Sequence, residues 1–375
     1  MDVAFSQPAA YPSKSRTEEV SAGFAGWGIS GVLERAGLGV IGNGAGSGPC
    51  GQFVLLGPLS WAYRKEEELN SLKRDSNVPQ KLTVVGAGIL GGQISLHFAL
   101  HGHDVALTDL SSDALDAARS RQSLELDARV SRGDLSSSDR DTAADRIATT
   151  TDLSTALENA DVIIEAVVEK LDVKRRVFAD LDRLTPSNVI LATNSSSIRI
   201  SEIESAVTNP QRILNAHFYN PVWQRPVVEL MKGSSTTDDV VDRMRRLCIG
   251  VNITPLILQK EITGFIFNRI WRGVKRETLH MVNDGVASFE DVDRAWMIAL
   301  GLPIGPFGMM DRVGLDVVRD IENVYYSESQ NPSDAPPPLL LEKIERGELG
   351  RKTGKGFYNY PNPAYEHPAW LKGST

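Results

Sequence analysis

Leu82-Thr-Val-Val-Gly86-Ala-Gly88-Ile-Leu-Gly91, running into Gly92-Gln-Ile-Ser-Leu-His-Phe-Ala-Leu-His101 and then Asp104-Val-Ala-Leu-Thr-Asp109, decides the fold. The β-branched run before Gly86 suits a strand buried on both faces. Ile94, Leu96, Phe98, Ala99 and Leu100 repeat at helical spacing, and Gly102 can end that helix. Three glycines at this spacing between strand and helix have separate physical tasks. Gly86 permits the tight turn, Gly88 lets backbone approach a pyrophosphate, and Gly91 lets the helix lie close on the strand. The helix N-terminus then meets the negative charge. Asp109, at the end of the second strand, can accept ribose hydroxyls and repels a 2′-phosphate, which favours NAD over NADP.

Working outward, Asp161-Val-Ile-Ile-Glu-Ala-Val168, Asn188-Val-Ile-Leu-Ala-Thr193 and Arg212-Ile-Leu-Asn-Ala-His217 continue the strand pattern with helical stretches between. The expected architecture is α/β, a doubly wound Rossmann-type domain over 81–260 followed by an all-helical domain over 261–375. In the second domain a helix is expected over Ile262–Asn283, closed by Gly285. The Ser288-Phe-Glu-Asp291 capping box opens another that runs to Gly301. Residues 1–80 are rich in glycine and serine without sustained periodicity and read as an appended, partly disordered segment. They hold Gly37-Leu-Gly39-Val-Ile-Gly42, which matches the same glycine spacing. No buried strand precedes it and no helix can follow through Asn-Gly-Ala-Gly-Ser-Gly-Pro, so it is set aside.

Bulk composition narrows the function classes. With 375 residues, 40 basic against 48 acidic side chains and a net charge of −8, the chain is long enough for two cores and is not a general nucleic-acid binder. Cys50 and Cys248 are its two cysteines, too few and too far apart for a disulfide framework or a metal cluster. No apolar run spans a bilayer, and neither Met-Asp-Val-Ala-Phe-Ser nor Lys-Gly-Ser-Thr is a targeting signal. A soluble cytoplasmic protein is expected, with no membrane partner.

The chemistry is read from Asn215-Ala-His-Phe-Tyr-Asn-Pro-Val-Trp-Gln-Arg-Pro-Val-Val-Glu229, which places His217 ahead of an Asn-Pro turn and Glu229 on a following strand. Hydride removal from a secondary alcohol requires removal of the hydroxyl proton at the same carbon. An imidazole, with an ordinary pKa of about 6.5, suits that task. A carboxylate on its other nitrogen fixes the tautomer and stabilises the imidazolium. The bland reading of His217, a core group capping the turn, weakens once Glu229 and the nucleotide turn are counted with it.

Several segments in collinear order resemble the L-3-hydroxyacyl-CoA dehydrogenase family from about Lys81 to Tyr360. They are the glycine turn, Glu165-Ala-Val-Val-Glu169-Lys-Leu-Asp-Val-Lys174, Asn194-Ser-Ser-Ser197, His217-Phe-Tyr-Asn220-Pro221, Gly264-Phe-Ile-Phe-Asn268-Arg269, Gly305-Pro306-Phe307 and Gly354-Lys-Gly-Phe-Tyr358. The resemblance implies NAD-dependent, reversible oxidation of an L-3-hydroxyacyl-CoA, as in 3-hydroxybutyryl-CoA dehydrogenases and in fatty-acid β-oxidation. It also implies a helical domain like the C-terminal domain of 6-phosphogluconate dehydrogenase, and a homodimer formed through it. It assigns His217 as base, Glu229 as its orienting carboxylate, and Ser196 and Asn268 as polar contacts to the reacting oxygen. Glu169, Lys174 and Asn220 help hold the nicotinamide half. Bland alternatives stand beside these roles. Ser196 serves equally as a turn hydroxyl, Asn268 needs a polar partner on its apolar helix face, and Glu169 with Lys174 fits a solvated helix-start pair.

Two departures bear on the substrate. Trp223-Gln-Arg225 replaces small or apolar residues beside the acyl pocket, which suggests a reshaped pocket. Arg225, if inward, matches a substrate carboxylate, and if outward is a surface charge. In 120–140, where the family grips coenzyme A phosphates, Arg129 and Arg132 are mixed with Glu125, Asp127 and Asp134. A second reading follows, a dehydrogenase of the same fold acting on a free hydroxy acid, as relatives resembling lambda-crystallin or carnitine dehydrogenase do. A third is a nucleotide-responsive binding protein without turnover. Phe265, Ile266, Ile270, Trp271, Trp296, Met297, Met309 and Met310 supply apolar surface for a subunit interface or for a monomeric core.

Overall fold

The computed structural model describes residues 80–373. The appended segment, its glycine motif and Cys50 lie outside the described residues. Eight strands form one sheet: β1 Lys81–Val85, β2 Asp104–Thr108, β3 Ile147–Thr150, β4 Val162–Glu165, β5 Ile190–Thr193, β6 Ile213–Phe218, β7 Val227–Lys232 and β8 Thr254–Leu258. Their order is β3-β2-β1-β4-β5-β6-β7-β8, parallel throughout except for the antiparallel β6/β7 pair. The crossover between β1 and β4 opens a crevice at their carboxyl ends, the position where doubly wound sheets receive a ligand.

Period-2 side chains divide between the two faces. Leu82, Val84, Val162, Ile164, Leu214, Ala216 and Phe218 pack in one core, and Val85, Ile163, Leu191 and Ile213 in the other. Both faces are therefore covered, which explains the unbroken apolar strands. The covering helices are α1 Ile89–Leu100, α2 Ser112–Arg132, α3 Ser137–Asp145, α4 Leu153–Leu157, α5 Leu171–Leu184 and α6 Asp238–Gly250. β3 and β8 carry little sequence signal, since each is a short, half-exposed strand at a sheet edge.

After Leu258 the chain is helical: α7 Phe267–Asn283, α8 Phe289–Leu300, α9 Pro306–Val313, α10 Leu315–Ser329 and α11 Pro338–Glu345. α7 starts five residues later than the apolar pattern suggests. Gly264 at φ +82° and Phe265 at φ +53° break any helix before it. The α8 expectation holds at both ends, with Ser288 accepting from Asp291 N and Gly301 left-handed at the C-cap. Of the apolar residues expected to serve either a core or an interface, Phe265, Met297 and Met310 are buried, while Ile266 and Ile270 are exposed. Among the described residues no helix is long and apolar enough to cross a membrane, and no cluster of His, Cys, Asp or Glu could hold a metal ion.

Candidate active site

The dinucleotide turn has the geometry its glycines require. A Cβ on Gly91 would lie 1.8 Å from Gly86 O, and Gly86 itself has φ +110° with Ala166 O 2.6 Å from a built Cβ. Neither position admits a side chain. Gly88, by contrast, is exposed with nothing within 4 Å of a built Cβ, so room for a phosphate lies directly over the N-terminus of α1. Asp109 accepts from Ala87 N at 2.8 Å and from Ser111 N at 3.0 Å. Each oxygen keeps a lone-pair direction for a ribose hydroxyl.

His217 and Glu229 face each other because β6 and β7 run antiparallel in a register that pairs these two residues directly. Directly opposed residues project to the same face, and the result is His217 Nδ1 to Glu229 Oε2 at 2.8 Å. Glu229 has no exposure. Its Oε1 accepts from Ile266 N at 2.8 Å and Phe267 N at 3.0 Å, the start of α7. Burial alone would raise its pKa, but His217, the two helix amides and the Tyr219 hydroxyl outweigh burial and hold it below the ordinary value. A carboxylate held ionised accepts only, so Nδ1 carries the proton and Nε2 is left as acceptor. Ser196 Oγ lies 3.1 Å from that Nε2.

The serine loop is held by Glu169. One oxygen of its carboxylate accepts from the Ser195 hydroxyl, from Ser196 N at 3.0 Å, and from Ser197 N at 2.9 Å and Oγ at 2.8 Å. Burial works against ionisation here, but Ser195, Lys174 and Ser197 outweigh it and lower the pKa. The solvated-pair reading fails for Lys174, while Glu169 remains exposed. Lys174 is 1% exposed, and its ammonium contacts Glu165 at 2.7 Å and Glu169 at 3.3 Å. It therefore sits beneath the site, and any ligand meets it through Glu169. Asn220 is exposed and accepts from Gln93 Nε2 at 3.0 Å, while Gln93 Oε1 accepts from Val222 N at 3.1 Å. The turn after His217 is thus docked on the helix that follows the glycines.

Ser196 and Asn268 line one cavity of about 260 Å³ together with Trp271, Lys275 and Tyr325, between the serine loop and helices α7 and α10. No other helix supplies the partner expected for Asn268, whose amide has no hydrogen bond among the described residues. Its polar demand is left to the cavity. The substrate-side arginines are elsewhere. Arg225 is exposed and is not among the residues that line this cavity. Arg129 pairs with Glu125 at 2.9 Å, and Arg132 with Asp134 at 2.8 Å, so both charges are met locally. Trp223 does not line that cavity. It packs against the α2–α3 hairpin, with Arg129 5.4 Å from its ring centroid.

Sequence reasoning does not single out Tyr219, Phe265 or Glu165. Phe265 stacks on His217 with centroids 4.8 Å apart, a contact made by its left-handed backbone and signalled by nothing in the sequence beyond the preceding glycine. Tyr219 follows His217 by two residues on the same face, its ring centroid 5.6 Å from the imidazole's, and its hydroxyl helps hold the Glu229 pKa down. Glu165 is buried and joins Lys174 to Thr193 Oγ1, 2.6 Å away, which ties the ends of β4 and β5 together.

Comparison with known proteins agrees with this geometry along the described chain. Residues 81–262 match the 3-hydroxyacyl-CoA dehydrogenase NAD binding domain, and residues 264–360 match the 3-hydroxyacyl-CoA dehydrogenase C-terminal domain. A 3-hydroxybutyryl-CoA dehydrogenase of Mycobacterium tuberculosis is 37% identical over 76% of this chain and 100% of its own length. The (S)-3-hydroxybutyryl-CoA dehydrogenase structure from Ralstonia eutropha superposes with a TM-score of 0.72 at 31% identity, covering 76% of this chain and 100% of that one. The structure of a diketoreductase that performs dual catalysis of dicarbonyl compounds superposes with a TM-score of 0.66 at 32% identity, covering 75% of this chain and 99% of that one. The chain belongs to the 3-hydroxyacyl-CoA dehydrogenase family and is an NAD-dependent oxidoreductase.

Proposed function

We propose that the chain reversibly oxidises an L-3-hydroxyacyl-CoA to the 3-ketoacyl-CoA. The observation that carries this reading is the unbroken line from the start of α7 through Glu229 and His217 to Ser196 Oγ. His217 Nε2 takes the hydroxyl proton, and Glu229 stabilises the imidazolium that forms. Ser196 and Asn268 donate to the oxygen as its charge changes. Glu169 positions Ser196 through the loop amides, and Lys174 keeps Glu169 ionised from below. NAD, seated over Gly86, Gly88 and Gly91 with its ribose at Asp109, supplies the hydride acceptor. The apolar side chains open on α10 and α7 outside that cavity, Val317 and Ile270, fit a second copy of the chain. A monomeric mass by light scattering at micromolar concentration would overturn that dimer.

The likeness to a diketoreductase supports a second reading, reduction of a free keto acid or diketone, although Arg225, the carboxylate partner first considered for it, does not line the cavity beside Ser196 and Asn268. NADH oxidation by the full chain with acetoacetyl-CoA, run beside free acetoacetate, separates the two. Turnover of the thioester alone is expected. Turnover of free acetoacetate at equal kcat/KM sinks the thioester reading.

A further inference from the structure

Asn220 lies on the turn that leaves β6, three residues after His217, and a side chain of α1 decides which way its amide faces. Gln93 stands four residues past Ile89, about 6 Å along α1 from the end that meets the pyrophosphate. The backbone amide of Val222 can only donate, and it donates to Gln93 Oε1 at 3.1 Å. Gln93 Nε2 is therefore the atom turned toward Asn220, and it donates to Oδ1 at 3.0 Å. With Oδ1 spent as an acceptor, the Nδ2 of the exposed Asn220 keeps both N–H groups without a partner among the described residues. A single backbone N–H thus fixes the sense of two side-chain amides in series.

The turn does not depend on Gln93 for its place. Val222 is buried in the same core as Ile94 and Phe98 of α1, and Phe218 N donates to Asn194 Oδ1 at 2.8 Å from the end of β5. As a staple the glutamine is spare, and an exposed amide pair contributes little to stability. Its distinctive effect falls on Asn220. A dinucleotide with its pyrophosphate over Gly88 and its reacting ring beside His217 has to carry the nicotinamide ribose from the start of α1 to the end of β6. Gln93 and Asn220 bridge those same two elements. The ribose hydroxyls and the carboxamide carbonyl of that half all accept hydrogen bonds.

We propose that Gln93 is a positioning residue for the cofactor, holding Asn220 with its N–H edge outward so that it donates to an oxygen of the nicotinamide nucleoside. Gln93 itself touches neither cofactor nor substrate. The inference rests on the NAD seating given above and is independent of which substrate is oxidised.

Gln93→Glu separates orientation from attachment. The carboxylate keeps an acceptor for Val222 N but cannot donate to Asn220 Oδ1, so the orienting bond is lost while the tie to the turn remains. The Kd of the full chain for NADH, followed by fluorescence, should rise about fivefold to tenfold, the worth of one hydrogen bond. ADP carries the phosphates without the nicotinamide nucleoside and reports what the added charge does alone; its Kd, measured by calorimetry, should change far less. In an Asn220→Ala background the donor is already gone, so adding Gln93→Glu should weaken NADH little further. Gln93→Met removes the same orienting bond without charge. It should show the same split between NADH and ADP, and it keeps the comparison open if the glutamate variant fails to fold. Unchanged NADH affinity in Gln93→Glu overturns the inference, as does equal weakening of NADH and ADP, or a loss that persists in full in Asn220→Ala. Absence of NADH binding by the unaltered chain overturns the NAD seating and the inference with it. NADH binding without turnover of acetoacetyl-CoA overturns the thioester reading alone.

Discussion

Glu229 and Asp293 are both carboxylates without exposure, and each accepts two successive backbone N–H groups at the start of a helix. They differ in the third partner. Glu229 takes the imidazole of His217, whose other nitrogen stays beside the serine loop and its cavity. Asp293 takes the Tyr358 hydroxyl at 2.9 Å, which closes the shell. Asp311 repeats the closed form with Phe357 N, Tyr358 N and the Tyr360 hydroxyl. The same buried-carboxylate device therefore orients a histidine that faces a cavity in the sheet layer and acts as a staple in the helical layer. The difference also explains two sequence landmarks. A Cβ on Gly305 would lie 2.3 Å from Asp293 Cγ, and one on Gly356 2.1 Å from Asp311 Oδ1, so Gly305-Pro-Phe and Gly354-Lys-Gly-Phe-Tyr are built around these staples rather than around a substrate.

The comparison breaks most visibly at its open member. His217→Gln should lower kcat by roughly 10²–10⁴-fold, the usual worth of general acid–base catalysis. Urea midpoint and NADH binding should stay near those of the unaltered chain. A comparable loss of stability in that variant would make His217 a structural group like Tyr358.

A smaller effect separates the two carboxylates by sign. Burial first, with Asp311 close by, raises Asp293 to about 6 against its amide and Tyr358 donors, whereas Glu229 is lowered. For Asp293 the folded state holds a proton that the unfolded chain has released. Its contribution is therefore full below the unfolded value of 3.8 and is lost as pH rises to about 6, a change of about 3 kcal/mol. For Glu229 the stabilisation is present above the unfolded value of 4.5 and is lost as pH falls through its lower folded value. Denaturation measured from pH 4 to 7 should show that Asp293→Asn removes a fall in stability with rising pH, while the activity of the folded fraction is retained. An unchanged slope in Asp293→Asn would mean that its three donors already hold it ionised, and the contrast with Glu229 would collapse.

The doubly wound sheet was legible from Leu82 to Asp109 because each decision there is local. Strand residues alternate between two buried faces, and Gly86 and Gly91 occupy positions where any Cβ collides. The pairing of His217 with Glu229 was legible as two residue types on two strands, but their contact depends on the register of β6 with β7, which a turn of uncertain length does not reveal. The solvated alternative for Lys174 fails for a related reason. At helix spacing it looks like a solvated charge, and only the position of Glu165 at the end of β4 brings it inside. Trp223 was misplaced because a loop residue can turn away from the site, here into the α2–α3 hairpin, whereas Arg225, left open between inward and outward, is exposed.

By itself, then, the sequence determined the layer architecture, the nucleotide turn and the residue types of the proposed acid–base pair, since these follow from periodicity, steric exclusion and intrinsic chemistry acting over a few residues. The tertiary structure alone decided which charges are buried together: Glu229 at the start of α7, Lys174 under Glu169, Asp293 against α9, and Lys275 beside Glu322. The physical reason is that a charge's environment is set by what other segments place around it, and burial, pairing and pKa all depend on that surrounding rather than on neighbours in the chain.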